Sequence, residues 1–439
     1  MSSGLAGNTA RGGSARARSA SSARASSARA SSAARAGSDG ASAGVAGLEL
    51  LTPAGRELLE RLAGEDVTPD RALALSAELR RSYPPSLVAA ALTQQSLRMS
   101  ARAKFSRADA MLFTRAGLEQ ASSELAAAHS ARRFRPYETV ADLCCGIGGN
   151  LAALAAGSRV LAVDRDLASL EFARHNAAVS GAAHPVAAVC ADVRHLATGH
   201  ASGRPRPGAV FIDPARRSAG RRLRAGTSEP PLDWCLALPD WVPAVGIKAA
   251  PGLPRDLVPP GWEAEFLAVG RQLKEALLWS PALATTERRA TILPGGDTLL
   301  PERGAPVPVA APGAYLLDPN PAVTRAGLVQ DLARRLGAWQ IDPMIAFLAA
   351  DEPAATPFAR TLRVLESMPW NEKQVARRVR ELGITAADIR RRGLAGDVDL
   401  IHRRLGLRAN TPAASGQPSA VIVMTRQDDK PWGLIAVPA

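Results

Sequence analysis

Asp142-Leu143-Cys144-Cys145-Gly146-Ile147-Gly148-Gly149 decides the fold of this 439-residue chain, because an apolar strand ends at the acid, a glycine turn follows and a helix opens beyond it. A strand, turn and helix joined in this way cradle a nucleotide cofactor. Three further acids stand where later strands should end: Asp164 after Arg159-Val160-Leu161-Ala162-Val163, Asp192 after Val186-Ala187-Ala188-Val189-Cys190, and Asp213 after Ala209-Val210-Phe211-Ile212. In an open parallel sheet, ligands sit outside the carboxyl ends of the strands where the winding reverses, so the four acids predict a single crevice.

The glycine pattern narrows the cofactor. The dinucleotide fingerprint Gly-x-Gly-x-x-Gly/Ala needs a third small residue for close helix packing, but Gly146-Ile147-Gly148 continues into Gly149-Asn150-Leu151. An acid four residues before the first glycine repels phosphate and accepts hydrogen bonds from an ammonium group. S-adenosylmethionine carries an adenosine and an amino acid end without phosphate, and it is the cofactor expected here.

With these residues, positions from about Arg135 to Gly220 resemble a class I S-adenosylmethionine-dependent methyltransferase over its first four strands. The resemblance implies an α/β fold with a Rossmann-like sheet. It implies that Asp142 and the turn carrying Cys144, Gly146, Gly148 and Asn150 hold the methionine end, that Asp164 accepts the ribose hydroxyls, and that Asp192 lies by the adenine amino group. Asp164 stands 18 residues past Gly146, which leaves room for one helix and one strand.

Phe211-Ile212-Asp213-Pro214-Ala215-Arg216-Arg217 occupies the place of the fourth methyltransferase motif. Methyltransferases acting on amino groups are similar here in an Asp or Asn, two prolines and an aromatic residue. Asp213 and the Pro214 carbonyl keep the acceptors that would orient a planar amine, while Ala215 and Arg216 replace the second proline and the aromatic. Nitrogen as acceptor is therefore open, and Arg216 can instead stack on a base or clamp a phosphate. Asp213, Pro214 and Arg216 are the catalytic candidates. Arg after Asp-Pro is also similar to enzymes that alkylate carbon 5 of uridine, but those need a cysteine at the end of the fifth strand. The strand expected at Val242 to Lys248 has none, and Cys235 reads as a buried small residue.

With 439 residues and 46% hydrophobic content, the chain has room for two to three packed domains. The expected organisation is an Ala/Ser/Arg-rich disordered tail over 1–45, a helical region over 46–130, the methyltransferase domain over 131–300, and a linker with a C-terminal domain over 301–439. In the helical region, Thr52-Pro53 and Thr68-Pro69 each supply a cap and a first-turn proline, followed by Leu58, Leu59, Leu62 and by Leu73, Leu75, Leu79. Met111 to Gln120 reads as a packed connector or as a helix start over the cofactor. Strands are expected at Glu275–Trp279 and Ala290–Leu293, and a linker from Pro294 to Pro312. Beyond it, Tyr315 to Leu328, the helical Lys373 to Leu382, the block Ile389 to Gly393 with Leu400 to Leu405, and closing strands at Ala420–Thr425 and Pro431–Val437 resemble a family of bacterial methyltransferases with a small α/β THUMP-like domain. That resemblance implies RNA docking.

Charge points the same way. Arginine outnumbers lysine 49 to 5, and the tail carries Arg11, Arg16, Arg18, Arg24, Arg29 and Arg35 against Asp39, leaving +8 of the net +13 for the rest. Arg194 to Arg224 holds eight arginines and one acid, and Lys373 to Arg408 holds ten basic residues. Both suit a polyanion partner, with a solvated charged face as the alternative for the second stretch. No apolar run of eighteen residues occurs, so no membrane span and a cytoplasmic location are expected, with organelle import of an Arg-rich leader as a minor alternative. Four cysteines and six scattered histidines, including His129, His175, His195 and His402, match no disulfide framework or metal pattern; the histidines read as surface or helix-end residues. The expected function is methylation of RNA, tRNA or rRNA. A small-molecule methyltransferase and a non-catalytic, cofactor-binding RNA-binding protein stay open.

Overall fold

The computed structural model describes residues 47–198, 206–215, 217–218, 221–222, 228–409 and 420–439. The tail expected over 1–45 lies outside them. The described chain begins with helices α1 (Pro53–Arg61), α2 (Pro69–Leu79) and α3 (Pro85–Ala101). Thr52 and Thr68 cap the first two as their Thr-Pro pairs predict, accepting from Gly55 N and Arg71 N. Leu58, Leu59, Leu62, Leu75 and Leu79 are buried together with Phe172 of a later helix, which docks the helical region onto the first sheet. Leu73 is 76% exposed. Two residues before Leu75 on a helix, it falls on the opposite face.

Two short helices follow, α4 (Arg115–Gln120) and α5 (Glu124–Ala131). Then comes the alternation β1 (Thr139–Leu143), α6 (Leu151–Ala155), β2 (Arg159–Asp164), α7 (Leu167–Val179), β3 (Ala187–Cys190), α8 (Val193–Thr198) and β4 (Ala209–Ile212). A small strand pair, β5 (Arg217–Ser218) and β6 (Arg221–Arg222), and α9 (Leu232–Leu236) lead to β7 (Val245–Ala249), β8 (Glu263–Val269), β9 (Gln272–Trp279), β10 (Arg288–Leu293) and β11 (Asp297–Leu299). The first sheet runs β11-β10-β8-β9-β7-β4-β1-β2-β3. Its strands β1, β2, β3, β4 and β7 are parallel, and the winding reverses between β1 and β4. The carboxyl ends of these strands therefore share one rim, where the crevice was expected. The fifth parallel strand starts at Val245 rather than Val242: Pro243 has no N–H and its carbonyl accepts from the Ser280 hydroxyl, and the first bond to β4 runs from Val210 N to Ala244 O.

The second sheet is assembled from β12 (Tyr315–Pro319), α10 (Pro321–Ala326), α11 (Val329–Leu336), β13 (Trp339–Gln340), β14 (Leu348–Ala350), β15 (Ala359–Pro369), α12 (Glu372–Glu381), β16 (Ala386–Arg391), α13 (Val398–Leu405), β17 (Arg408–Ala409), β18 (Ala420–Gln427) and β19 (Lys430–Pro438). Its order is β13-β14-β12-β15-β19-β18-β16-β17. Ala322, Val323 and Ala326 of α10 are fully buried in the same apolar cluster as Phe266, Ala268, Ala290 and Ile292 of the first sheet, so one core holds both sheets. The stretch read as a linker contributes to this packing: β11 pairs with β10, Val307 is buried, and Gln340 N donates to Pro308 O.

Candidate functional site

The turn after β1 needs an unusual backbone. Cys144, Gly146 and Gly148 have φ of 57°, 53° and 86°. At Gly148 a Cβ would sit 3.0 Å from Ala173 Cα in α7, so glycine there permits close approach of turn and helix. The spacing between turn and second acid also has a structural cause. Asp164 Oδ2 accepts from Gly146 N at 2.8 Å and Oδ1 accepts from Asp166 N at 2.9 Å, which ties the turn to the end of β2. Each oxygen retains lone-pair capacity for a ligand. Burial raises the Asp164 carboxyl above its ordinary pKa, against these backbone hydrogen bonds.

Asp142 lies at the floor of the crevice, 1% exposed, and neither carboxylate oxygen has a hydrogen-bond partner among the described residues. Burial first, then the charges of Asp213 and Asp164, push its pKa well above the usual carboxylate range, while Lys248 opposes them. Asn150 is 6% exposed with an unpartnered Nδ2. Asp192 is committed to Arg194, which donates from Nε to Oδ1 at 3.0 Å and from Nη2 to Oδ2 at 2.5 Å. Those hydrogen bonds hold the Asp192 carboxyl far below its ordinary range. Arg194 also meets Glu229 at 3.2 Å, which places this first arginine of the basic loop against the crevice wall.

Asp213 follows β4, and its Oδ2 is 2.6 Å from Lys248 Nζ. Asp142, Cys144, Gly146, Asn150, Asp164, Asp192, Asp213 and Pro214 all line one cavity of about 720 Å³. That is the size of a ligand site. Gly148 shapes the turn from behind rather than lining it. Arg216 lies outside the described residues, as do the backbones of Arg204 and Arg224 in the basic loop. Met111 to Gln120 proves to be both connector and wall: Met111, Leu112 and Phe113 are buried, while Gly117, Glu119 and Gln120 line the cavity.

Several residues of the cavity carry no signal of their own in the sequence. Lys248, at the end of β7, is only 4% exposed; it reaches Asp213 and lies 3.9 Å from Glu275 Oε2 of β9, which also accepts from the Ser122 hydroxyl at 2.8 Å. Lys104 and Lys274 line the same cavity. What could have found them is rarity: three of five lysines in a chain of 49 arginines meet here. His129 is a helix-end histidine, in the last turn of α5. It is half-buried against Glu265, with Nε2 2.7 Å from Oε1, because β8 carries two fully buried glutamates that need cationic and hydrogen-bonding partners.

Beside the cavity, where Val269 at the end of β8 forms part of its lining, the β8–β9 turn presents Arg271 to the second sheet. Arg271 and Arg392 each donate to the buried Asp318 at 2.8 Å; Arg390 pairs with Asp388 at 3.1 Å, and Arg360 approaches it at 3.9 Å. Much of the remaining basic stretch is spent on local pairs, Arg378 with Glu366 and Glu381, Arg377 with Glu381, and Arg404 with Glu372. Among the described residues no helix is long and apolar enough to cross a membrane.

This fold and this crevice define an S-adenosylmethionine-dependent methyltransferase. The chain is 36% identical over 322 residues, 69% of its own length and 83% of the relative's, to an uncharacterized S-adenosylmethionine-dependent methyltransferase of Mycobacterium tuberculosis, matched equally in strains CDC 1551 and H37Rv. It belongs to that family. Residues 137–216 match the model of the RNA cap guanine-N2 methyltransferases, residues 359–438 that of the THUMP domain-like family, and residues 46–101 a domain of unknown function. The crystal structure of a "putative methyltransferase" from Porphyromonas gingivalis W83 superposes with a TM-score of 0.64 at 19% identity, covering 84% of this chain and 99% of that one. The shared fold thus extends through both sheets.

Proposed function

We propose that this methyltransferase acts on RNA. The observation that carries the reading is the cluster beside the cavity, where four guanidinium groups, Arg271, Arg360, Arg390 and Arg392, share two carboxylates, Asp318 and Asp388. Two positive charges are left over at the junction of the sheets, held in fixed orientation, and arginine forks suit the phosphodiester backbone. The matches to an RNA cap methyltransferase model and to a THUMP domain-like model support the same substrate class.

The residues fit the cofactor's chemistry. Asp142 offers a buried carboxylate and Asn150 a buried amide N–H, both without hydrogen-bond partners among the described residues, the first suited to an ammonium group and the second to a carboxylate. Asp164 keeps acceptor capacity for two ribose hydroxyls, and Asp192, locked by Arg194, forms the neighbouring wall. When bound, S-adenosylmethionine supplies the electrophilic methyl group. Asp213 and the Pro214 carbonyl orient the acceptor, and Lys248 fixes the Asp213 carboxylate by its 2.6 Å contact.

Labelled cofactor incubated with RNA and with the small-molecule fraction of cells lacking the gene tests the reading. Label should enter RNA and be released by ribonuclease. Label confined to small molecules refutes it. In parallel, Arg360→Gln with Arg390→Gln should flatten the salt dependence of RNA binding by about 0.7 log units for each phosphate that is no longer neutralised. Their acid partner Asp388 is 39% exposed, so its loss of partners leaves no buried charge.

A further inference from the structure

We propose that the atom methylated is a hydroxyl oxygen, on RNA a ribose 2′-hydroxyl, held between Lys248 and Asp213. The choice of the ribose rests on RNA as the substrate; the choice of oxygen rests on the cavity alone.

Lys248 Nζ gives one proton to Asp213 at 2.6 Å, while its other neighbours, Gln120 O at 3.5 Å and Glu275 Oε2 at 3.9 Å, lie at or beyond the limit of a good hydrogen bond. A buried ammonium has three donors, so even with one turned to Gln120 O, Lys248 has at least one to offer to a group entering beside Asp213. A second ammonium stands close by. Lys104 is tethered to Leu118 O at 2.6 Å and Ala121 O at 3.4 Å, on the segment whose Gln120 carbonyl faces Lys248. Burial lowers the Lys104 pKa, and the charges of Lys248 and Lys274 lower it further, which marks the three as electrostatic neighbours. In a chain of 49 arginines and five lysines, three of the lysines line this cavity, each a compact ammonium rather than a broad guanidinium fork.

An acceptor must match one donor and one carboxylate. A planar exocyclic amine has two N–H groups and a single lone pair, and that lone pair must attack. The Lys248 ammonium would compete for it, and the positive charge that nitrogen gains during attack would meet that ammonium at the acceptor. A hydroxyl has one O–H and two lone pairs. One lone pair accepts from Lys248, the O–H donates to Asp213, and the second lone pair is free to attack. In the balanced step an oxygen lone pair forms the O–CH₃ bond, the pair of the breaking C–S bond passes to sulfur, and the hydroxyl proton passes to Asp213. The ammonium stabilises the oxygen as it gives up its proton.

The test uses the full chain, labelled cofactor, and an RNA and small-molecule extract of cells lacking the gene. A 2′-O-methyl group blocks alkaline cleavage, so label should be recovered in alkali-stable dinucleotides. Label in mononucleotides, on a base nitrogen or carbon, overturns the hydroxyl inference and leaves the RNA reading standing. Label in a small-molecule ether overturns the RNA reading and leaves the hydroxyl inference standing, and an extract that takes up no label overturns both. Lys248→Gln should reduce transfer on the order of a hundredfold or more, the scale of losing a preorganised charge at the reacting atom. Cofactor affinity by calorimetry should fall far less than transfer in that variant, through the lost charge near Asp142 alone; a loss of affinity as large as the loss of transfer would assign Lys248 to cofactor binding and overturn its role at the acceptor. Asp213→Asn should be as poor as Asp213→Ala, because its amide cannot take a proton. Near-parental transfer by Asp213→Asn would return the acceptor to nitrogen.

Discussion

Replacing Asp142 by Asn should move stability and cofactor affinity in opposite directions. Its carboxylate is 1% exposed, lacks partners among the described residues, and has a folded pKa pushed well above the ordinary carboxylate range by burial. As pH rises past that ordinary range, the unfolded chain gives up its proton while the folded chain retains it. The free protein therefore loses stability with rising pH until the folded pKa is passed, at about 1.4 kcal/mol per pH unit. The Asn variant lacks this loss and should melt higher than the parent at neutral pH. Pairing with an ammonium reverses the preference, because only the ionised carboxylate forms a charge-assisted hydrogen bond. Cofactor binding by the parent should release a proton within the window, and affinity should climb about tenfold per pH unit there. Above the window the variant should bind on the order of ten- to a hundredfold more weakly, corresponding to the absence of a hydrogen bond of roughly 1.5 to 3 kcal/mol. Calorimetry in two buffers of different ionisation heat measures the proton. Equal affinity in parent and variant, with no buffer-dependent heat, would refute the assignment of Asp142 to the ammonium group.

Asp164→Ala removes both the acceptors offered to ribose and the tie to Gly146 N; cofactor affinity should fall on the order of ten- to a hundredfold, and unchanged calorimetric binding would exclude that role. At Gly117 a Cβ would stand 2.5 Å from Ile147 Cγ2. Gly117→Ala should therefore cost about 1 to 3 kcal/mol, and an unchanged melting temperature would show that the wall yields instead. Glu265 is held at a pKa of about 2 although burial opposes ionisation, because hydrogen bonds from His129 and Thr291 and the charges of His129 and Arg133 outweigh it. A depressed folded pKa contributes stability above the unfolded value that is lost as pH falls, so the parent should weaken between roughly pH 4.5 and 2, by up to about 3 kcal/mol. Glu265→Gln should flatten that acid limb of the melting profile, and parallel profiles would count against the pairing.

The parts of the site that can be read from the chain are those whose chemistry is local. The glycine turn, the acid before it and the acid 18 residues beyond Gly146 are bound together by one crossover, so spacing alone brings them to one place. Thr52 and Thr68 are legible for the same reason, since a cap acts within its own first turn. The other half of the cavity depends on strands that return out of order: β9 inserts antiparallel between β7 and β8, and only this brings Glu275 to Lys248. Glu263-Ala264-Glu265-Phe266-Leu267-Ala268-Val269 does not announce itself as a buried strand because its acids look like an exposed face. Both are fully buried, held by Arg133, Arg289, His129 and the Trp279 indole N–H from elsewhere in the fold. Charge runs mislead in the opposite sense, since Arg378 and Arg404 are engaged by glutamates, whereas Arg390 and Arg392 gather with Arg271, far away in sequence. What the chain does display is the exception to its own habit. Where arginine is the default cation, three of the five lysines line one cavity, and Lys248 among them holds the Asp213 carboxylate on which the choice between an oxygen and a nitrogen acceptor turns.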